Sequence, residues 1–263
     1  MSITHEFVLC AYKESAYLEE CIISLKTQTV KSKIIITTST PTSFIFNIAK
    51  KYNIPVFVNK SKGGIADDWN FGYAMTKADV VTIAHQDDIY EKHYVELVLS
   101  TIEKVNNPLI IFTDYGEIRE GNKIVRTRLL QTKRIMLWPL RFKLLQRSRF
   151  VRRRILSFGS PISCPAVSYY KQNLPKRPFK TGFRSDLDWQ TWERFSVLKG
   201  SFVYISKIGM YHRIHQDSET TKILIENRRC EEDFQMFCKF WPKGIAYIIE
   251  KIYSAAEKSN SLK

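Results

Sequence analysis

Between Gly121 and Ser185 the chain has no aspartate or glutamate, yet it carries seventeen lysines and arginines there. The whole sequence has 41 basic and 26 acidic residues over 263 positions, a net charge of +15. Outside that segment 24 basic residues face 26 acidic ones, so the entire positive excess lies in one stretch. Such a block points to a phosphate-bearing or membrane-surface partner, with a plain solvated basic face as the alternative. No apolar run approaches the roughly 18 uninterrupted residues that a membrane-spanning helix needs. The opening "MSITHEFVLCAYKES" has neither a basic leader nor an apolar core, so it does not read as a secretory signal. The five cysteines (Cys10, Cys21, Cys164, Cys230 and Cys238) are odd in number and scattered. They form no disulfide framework or zinc spacing and suit reduced thiols in the cytoplasm. Apolar material is not lacking: 44% hydrophobic and 13% aromatic residues supply the core of one large domain, or of one domain with an appendage.

Strand and helix patterns alternate through the first 120 residues. "EFVLCAY" reads as a buried strand, and "SAYLEECIISLKTQ" as an amphipathic helix with Leu18, Ile22 and Leu25 on one face and Ser15 as N-cap. "KSKIIITTST", "IPVFVNK", "DVVTIAH" and "PLIIFTDY" read as further strands. "TSFIFNIAKKY", "ADDWNFGYAMTKA" and a long "YEKHYVELVLSTIEKV" read as the helices between them. Short connections and strict alternation predict a mostly parallel sheet with helices on both faces. The basic segment reads as one or two amphipathic helices interrupted at Pro139. Beyond it come a strand in "SCPAVSYYKQNL", a helix in "SDLDWQTWERFSVLKG", a strand in "SFVYISKIGMYHRIH", and helices from Thr220 onward broken near Pro242.

Ligands of such sheets bind beyond the carboxyl ends of the strands. "CAYKE", "TTSTPT", "NKSKGG" and "HQDD" all fall there, and four polar clusters at one edge define a site. Asp87 and Asp88 are adjacent carboxylates that suit a hard divalent cation; the simpler reading makes Asp88 a cap for a helix starting near Glu91. Tyr12 suits stacking on a flat ring, or packing at a strand end. Lys60, Lys62, Gly63 and Gly64 form a basic, glycine-containing loop that suits phosphate or a simple surface turn. Asp186 and Asp188 are candidate general bases, or caps of their helix.

The order and spacing of "VLCAYKESAYLEECIISLKTQT", "NKSKGGIADDWNFGYAMTKADVVTIAHQDD", "GSPISCPAVSYY", "SDLDWQTWERF" and "MYHRIHQDSET" resemble the family 2 glycosyltransferases. The resemblance covers about residues 5–220. It implies an α/β fold of the glycosyltransferase A type, a Rossmann-like, mostly parallel central sheet flanked by helices. Residues 1–219 would be the catalytic domain, with a nucleotide-sugar-binding half (1–120), a basic amphipathic insert (121–158) and an acceptor and catalytic-base half (159–219). Residues 220–263 would be a C-terminal helical extension.

The same resemblance implies an inverting transferase using a nucleotide-diphosphate sugar, a UDP-sugar first, and Mn²⁺ or Mg²⁺. Asp87 matches the metal-binding aspartate, with Asp88 beside it and His215 in the closing loop as a further ligand. Tyr12, Glu14, Thr38, Lys62, Asp68, Asn70, His85, Gln86, Asp87 and Arg213 fall at positions facing the donor. Asp188 matches the catalytic carboxylate, with Asp186 as competitor; Trp189 and Trp192 could wall a sugar subsite. His85 stands where the family has the first aspartate of its metal motif, and Thr37 and Thr38 stand where it has acids near the base. Both departures bear on metal use and on which base is bound.

Cytoplasmic members of the family often extend glycans on a lipid-diphosphate carrier. The arginines and apolar residues of 123–154, including Arg152, Arg153 and Arg154, fit an anionic membrane surface at the inner face of the cell membrane. No nucleic-acid module surrounds the block, and a homo-oligomer is left open. The competing readings are a non-catalytic binding subunit on the same fold, suggested by His85, and a sugar nucleotidyltransferase, which would want a Gly-rich signature loop that "CAYKESAY" lacks.

Overall fold

The apolar run at the start of the chain forms β1 (His5–Cys10) at the centre of a parallel unit, between β2 (Lys33–Thr38) and β4 (Val80–His85), with β3 (Val56–Val58) outside β2. The computed structural model describes residues 3–61, 63–215 and 228–261. The sheet continues past β4 in the order β8 (Val167–Tyr170), β6 (Pro108–Arg119), β9 (Ser201–Ile214) and β5 (Ile89–Tyr90), while β7 (Asn122–Ile124) pairs with β6. The expected parallel unit is present. The sheet becomes mixed where β8 enters antiparallel to both β4 and β6, and β6 and β9 then run parallel again.

Helices cover both faces, because β1 and β4 are apolar on both sides and must be buried twice. On one face α1 (Leu18–Lys26), α2 (Ser43–Tyr52) and α4 (Tyr94–Ile102) deliver Leu18, Ile22, Leu25, Ile45, Val95 and Val98. On the other, α3 (Ile65–Met75) and α8 (Leu187–Ser196) deliver Trp69, Tyr73, Trp189 and Trp192. Trp189 and Trp192 are wholly buried, so both are core and neither walls a sugar subsite. Gly72 of α3 sits so close to β1 that a methyl group there would lie 2.4 Å from the Val8 side chain. The basic segment folds as α5 (Arg128–Leu137), a 3₁₀ turn at Trp138–Arg141 containing Pro139, a single turn α6 (Lys143–Gln146) and α7 (Arg149–Leu156). Beyond β9, α9 (Arg228–Cys238) and α10 (Lys243–Ser261), separated at Pro242, return Met236, Phe237 and Ala246 to the core against Trp189.

Two expected boundaries move. The helix after the acid pair begins at Tyr94, because Ile89 and Tyr90 pair instead with Tyr211 and Met210 of β9. Asp88 therefore caps nothing: the helix start is at His93, with no side-chain cap. Likewise α1 begins at Leu18, and Ser15 accepts a hydrogen bond from the Tyr17 amide at 3.2 Å rather than capping the helix.

A buried polar network crosses the parallel unit. The His5 ring contacts the Ser32 hydroxyl at 2.7 Å and the Thr82 hydroxyl at 2.9 Å, and Thr82 meets Ser168 at 2.6 Å. Burial lowers the His5 imidazole to about 3, so it is neutral in the fold, whereas an unfolded chain titrates it near 6.5. The unfolded state then binds the extra proton between those limits. Stability from this site is complete above pH ~6.5 and is lost as pH falls toward ~3, at about 1.4 kcal/mol per pH unit. Urea unfolding at pH 7.5, 6 and 5 is expected to show this slope in the wild type and a flatter one in His5→Asn.

Candidate active site

The tips of β1, β2 and β4 and the end of β9 meet at one edge. After β1 the chain turns through Lys13, held at φ +56°, and the Gln86 side chain clamps the turn: its Oε1 accepts from the Tyr12 amide at 3.0 Å and its amide donates to the Tyr12 carbonyl at 2.9 Å. Tyr12 is thereby projected into solvent with its ring exposed, and Glu14 is exposed beside it. Thr38, at the tip of β2, accepts from the Thr40 amide at 3.0 Å. Asp68 is reached by the Ser39 hydroxyl and the Asn59 amide, both at 2.8 Å. An acid from α3 thus sits against the β2 tip, where the strand itself offers only threonines. Gly64 starts α3 at φ +81°, a conformation open to glycine. Lys62 lies outside the described residues. Asn70 is buried on the other side of α3, its amide exchanging two hydrogen bonds with the Phe179 backbone at 2.7 and 3.1 Å. That pairing spans 109 positions and uses the whole side chain.

Asp87 and Asp88 diverge. Asp87 accepts from the Ser15 hydroxyl at 2.6 Å, and its other oxygen lies 3.3 Å from Nε2 of His215. Asp88 is fully buried and turned toward β9, accepting from Nδ1 of His212 at 2.9 Å and from the Arg213 amide at 3.0 Å. Burial alone would raise the Asp88 carboxyl; the charge and hydrogen bond of His212, with His85 and the Arg213 amide, outweigh it and hold it below the usual range. His212 moves the opposite way, raised by Asp88 against the effect of burial. Burial lowers the His85 imidazole, which stacks on Trp69 at 5.3 Å. Arg213 donates to the Asp87 carbonyl at 2.9 Å and to Glu20 at 2.6 Å, and its guanidinium lies 4.3 Å from the centre of the Tyr17 ring. Among the described residues, no three His, Cys, Asp or Glu side chains converge as a cage for a metal ion.

The two candidate bases also part company. Asp186, the first residue of the α8 turn, is buried against Asp233; burial and then the Asp233 charge push its carboxyl well up. Asp188 lies one step into the helix and accepts from the Trp189 amide at 2.6 Å. Burial raises its carboxyl, against the pull of that amide and of the Lys133 and Arg229 charges. Burial pushes the Cys164 thiol far up. Lys133 was not among the sequence candidates. It sits on α5 with its ammonium donating to the Tyr115 hydroxyl at 3.0 Å, and one cation among seventeen in an acid-free run carries no signal of its own.

These features have relatives. The family model described as glycosyl transferase family 2 matches residues 6–174, and the chain belongs to that family. No curated protein matches the chain by sequence. Among solved structures, S. aureus TarS 1–349 in complex with UDP-GlcNAc superposes with a TM-score of 0.63 at 13% identity, over 94% of this chain and 70% of that one. The mannosyltransferase PcManGT from Pyrobaculum calidifontis, in complex with GDP-Man and Mn²⁺, gives 0.64 at 11% identity over 97% and 70%. Glucosyl-3-phosphoglycerate synthase from Mycobacterium tuberculosis, in complex with Mn²⁺, UDP and its product, gives 0.53 at 16% identity over 81% and 73%. The shared architecture is the glycosyltransferase A-type fold.

Removing the two adjacent acids is expected to have opposite consequences. Asp88→Ala strands the buried His212 ring and the Arg213 amide and is expected to cost about 3 kcal/mol in urea unfolding. Asp87→Ala, whose carboxylate is partly open to solvent, is expected to stay within about 1 kcal/mol of wild type.

Proposed function

We propose that this family 2 glycosyltransferase is an inverting enzyme. It moves a sugar from a nucleotide-diphosphate sugar, a UDP-sugar first, to a hydroxyl of a glycan carried on a lipid diphosphate, in the assembly of a bacterial surface polysaccharide. The observation that carries the reading is the meeting, at one sheet edge, of exposed Tyr12 clamped by Gln86, Asp68 at the β2 tip and the Asp87–His215 pair. Tyr12 stacks on the base, and Asp68 at the β2 tip accepts from the base or ribose. Asp188 accepts the proton of the acceptor hydroxyl as that oxygen attacks the anomeric carbon; burial raises its basicity, against the pull of the Lys133 charge. Direct displacement by that hydroxyl inverts the centre. The pairing of a carboxylate with an imidazole fits Mn²⁺ better than Mg²⁺, which favours oxygen alone. Asp87 and His215 would hold the cation with Asp88 behind them, and it would neutralise charge on the departing diphosphate. The TarS, PcManGT and synthase complexes with nucleotide donors or Mn²⁺ support this assignment.

The basic segment supports a peripheral place on an anionic membrane, and its side chains are arranged in reverse of a common surface helix. Cations turn inward: Arg134 donates to Asp114 at 2.7 Å, and Lys133 to Tyr115. Apolar groups turn outward, among them Ile135 at 74% exposure, Leu144 at 87% and Phe150 at 70%, with Trp138, Phe142 and Phe158 also exposed. Exposed Arg141, Lys143, Arg147, Arg149 and Arg154 stand among them. Apolar side chains ringed by cations match the boundary between acyl chains and anionic headgroups. The triple arginine is not one exposed patch, as the sequence suggested. Arg152 is buried, donating to the Leu198 carbonyl at 2.9 Å, and Arg153 pairs with Glu193 at 2.6 Å, which leaves Arg154 outside.

Two measurements test the reading. Release of nucleoside diphosphate from UDP-N-acetylglucosamine, UDP-glucose and GDP-mannose with MnCl₂ is expected for at least one donor, and Asp188→Asn is expected to lower it on the order of 100- to 10,000-fold. Undiminished turnover in Asp188→Asn would remove the proposed base. Separately, flotation with phosphatidylglycerol vesicles is expected for the wild type and is expected to be lost in Arg147→Glu/Arg149→Glu/Arg154→Glu. Equal flotation of that variant would sink the membrane assignment.

A further inference from the structure

The first turns of α9 place Arg229, Glu232 and Asp233 on one face, at the i, i+3 and i+4 spacing that makes helix neighbours. That face meets the start of α8. Glu232 accepts four hydrogen bonds there from three successive backbone amides: Arg184 at 3.0 and 3.1 Å to its two oxygens, Ser185 at 2.7 Å and Asp186 at 3.0 Å. Asp233 is buried against Asp186, and the Arg229 charge reaches both Asp186 and Asp188. A helix start exposes amides that need acceptors, and a carboxylate is the strongest acceptor a protein can put there. The Asp186 side chain, which holds the N-cap position of α8, makes no capping bond. Glu232 instead holds the amides of Arg184, Ser185 and the N-cap residue Asp186, the approach to the helix, from 46 positions away.

We infer that α9 is a positioning element for the catalytic-base segment, with Glu232 as the residue that fixes the turn entering α8 and so sets where Asp188 points. The inference rests on the reading of Asp188 as the base and assigns a role to the helices beyond β9 that the family resemblance does not supply. Arg184, Ser185 and Asp186 immediately precede the helical turn that carries Asp188. Without the carboxylate, the amides of Arg184, Ser185 and Asp186 lose their acceptor, and the turn entering α8 is free to shift. The donor side of the site, at Tyr12, Thr38, Asp68 and Asp87, takes no contact from Glu232. A displaced Asp188 therefore slows the chemical step while donor binding is retained, since proton transfer demands hydrogen-bond reach.

The test uses the full chain with Glu232→Ala and Glu232→Gln. It follows kcat and KM for whichever of the three donors the wild type turns over with MnCl₂, UDP binding by calorimetry, and Tm. The expected result is a kcat lowered tenfold or more in Glu232→Ala, an intermediate value in Glu232→Gln, whose amide oxygen still accepts, and donor KM and UDP affinity within twofold of wild type. If the alanine variant does not fold, the glutamine variant decides alone. A kcat within twofold of wild type in a folded Glu232 variant overturns the inference, as does a loss of kcat and UDP affinity in the same proportion, which marks a general loosening of the fold. Inactive Asp188→Asn beside unimpaired Glu232 variants removes this inference alone; active Asp188→Asn removes the base assignment and this inference together.

Discussion

Asp88 ties the end of β4 to the end of β9, and the rest of the site is arranged around that tie. A carboxylate without water must find donors inside the protein or lose its charge. Asp88 finds the His212 ring and the Arg213 amide, both on β9, a strand not adjacent to β4 in the sheet. The Asp87 carbonyl strengthens the same junction by accepting from the Arg213 guanidinium. With the backbone of 87–88 fixed from behind, the Asp87 side chain has one direction left, toward Ser15 and His215. Of two acids that look equivalent in sequence, one is a buried strut and the other faces the cleft.

The acid-free segment follows a similar logic at larger scale. A run of cations without local acids cannot neutralise itself, so its inward-facing members must find acids elsewhere or carbonyl oxygens. Arg134 reaches Asp114 on β6, Arg153 reaches Glu193 on α8, and buried Arg152 takes the Leu198 carbonyl with its guanidinium 5.1 Å from the centre of the Phe202 ring. These bonds fasten the segment to β6, to α8 and to the turn that follows α8. Exposed Arg141, Lys143, Arg147, Arg149 and Arg154 share the surface with the apolar side chains that the fold did not absorb.

Much of the framework could be read from the chain. Alternation of apolar runs with 3.6-period stretches located β1, β2, β4 and the helices between them, because each element's burial pattern is local. What escaped was set by distant partners. Ile89 and Tyr90 continue a helical pattern until β9 claims them as a strand. Ser15 has a capping residue's sequence context but donates to Asp87, 72 positions away. Asn70 looks like a donor contact, and its buried amide exchanges a pair of hydrogen bonds with the backbone at Phe179. Three consecutive arginines look alike until helical geometry sends one inward, one to a glutamate and one outward. Asp186 and Asp188 are two residues apart, which on a helix turns them well away from one another: Asp186 is buried against Asp233, while Asp188 accepts from the Trp189 amide within reach of the Lys133 charge.

His85 shows how a departure from the family pattern is accommodated. An aspartate at this point would stand three residues before Asp88, beside a carboxylate that already consumes the nearest positive partner, His212. An imidazole, whose charged form burial disfavours, adds no negative charge there. Its Nδ1 lies 3.9 Å from the second Asp88 oxygen, and its ring stacks on Trp69, filling the space with a flat apolar face. The substitution thus lowers the negative charge at the β4 tip by one and leaves Asp87 as the acid facing the cleft. The interior of the site moves in the same direction, since Lys133 brings a positive charge within reach of both Asp188 and His212. His85 and Lys133 are far apart in sequence and belong to different parts of the fold, yet both shift the cleft toward accepting an anion.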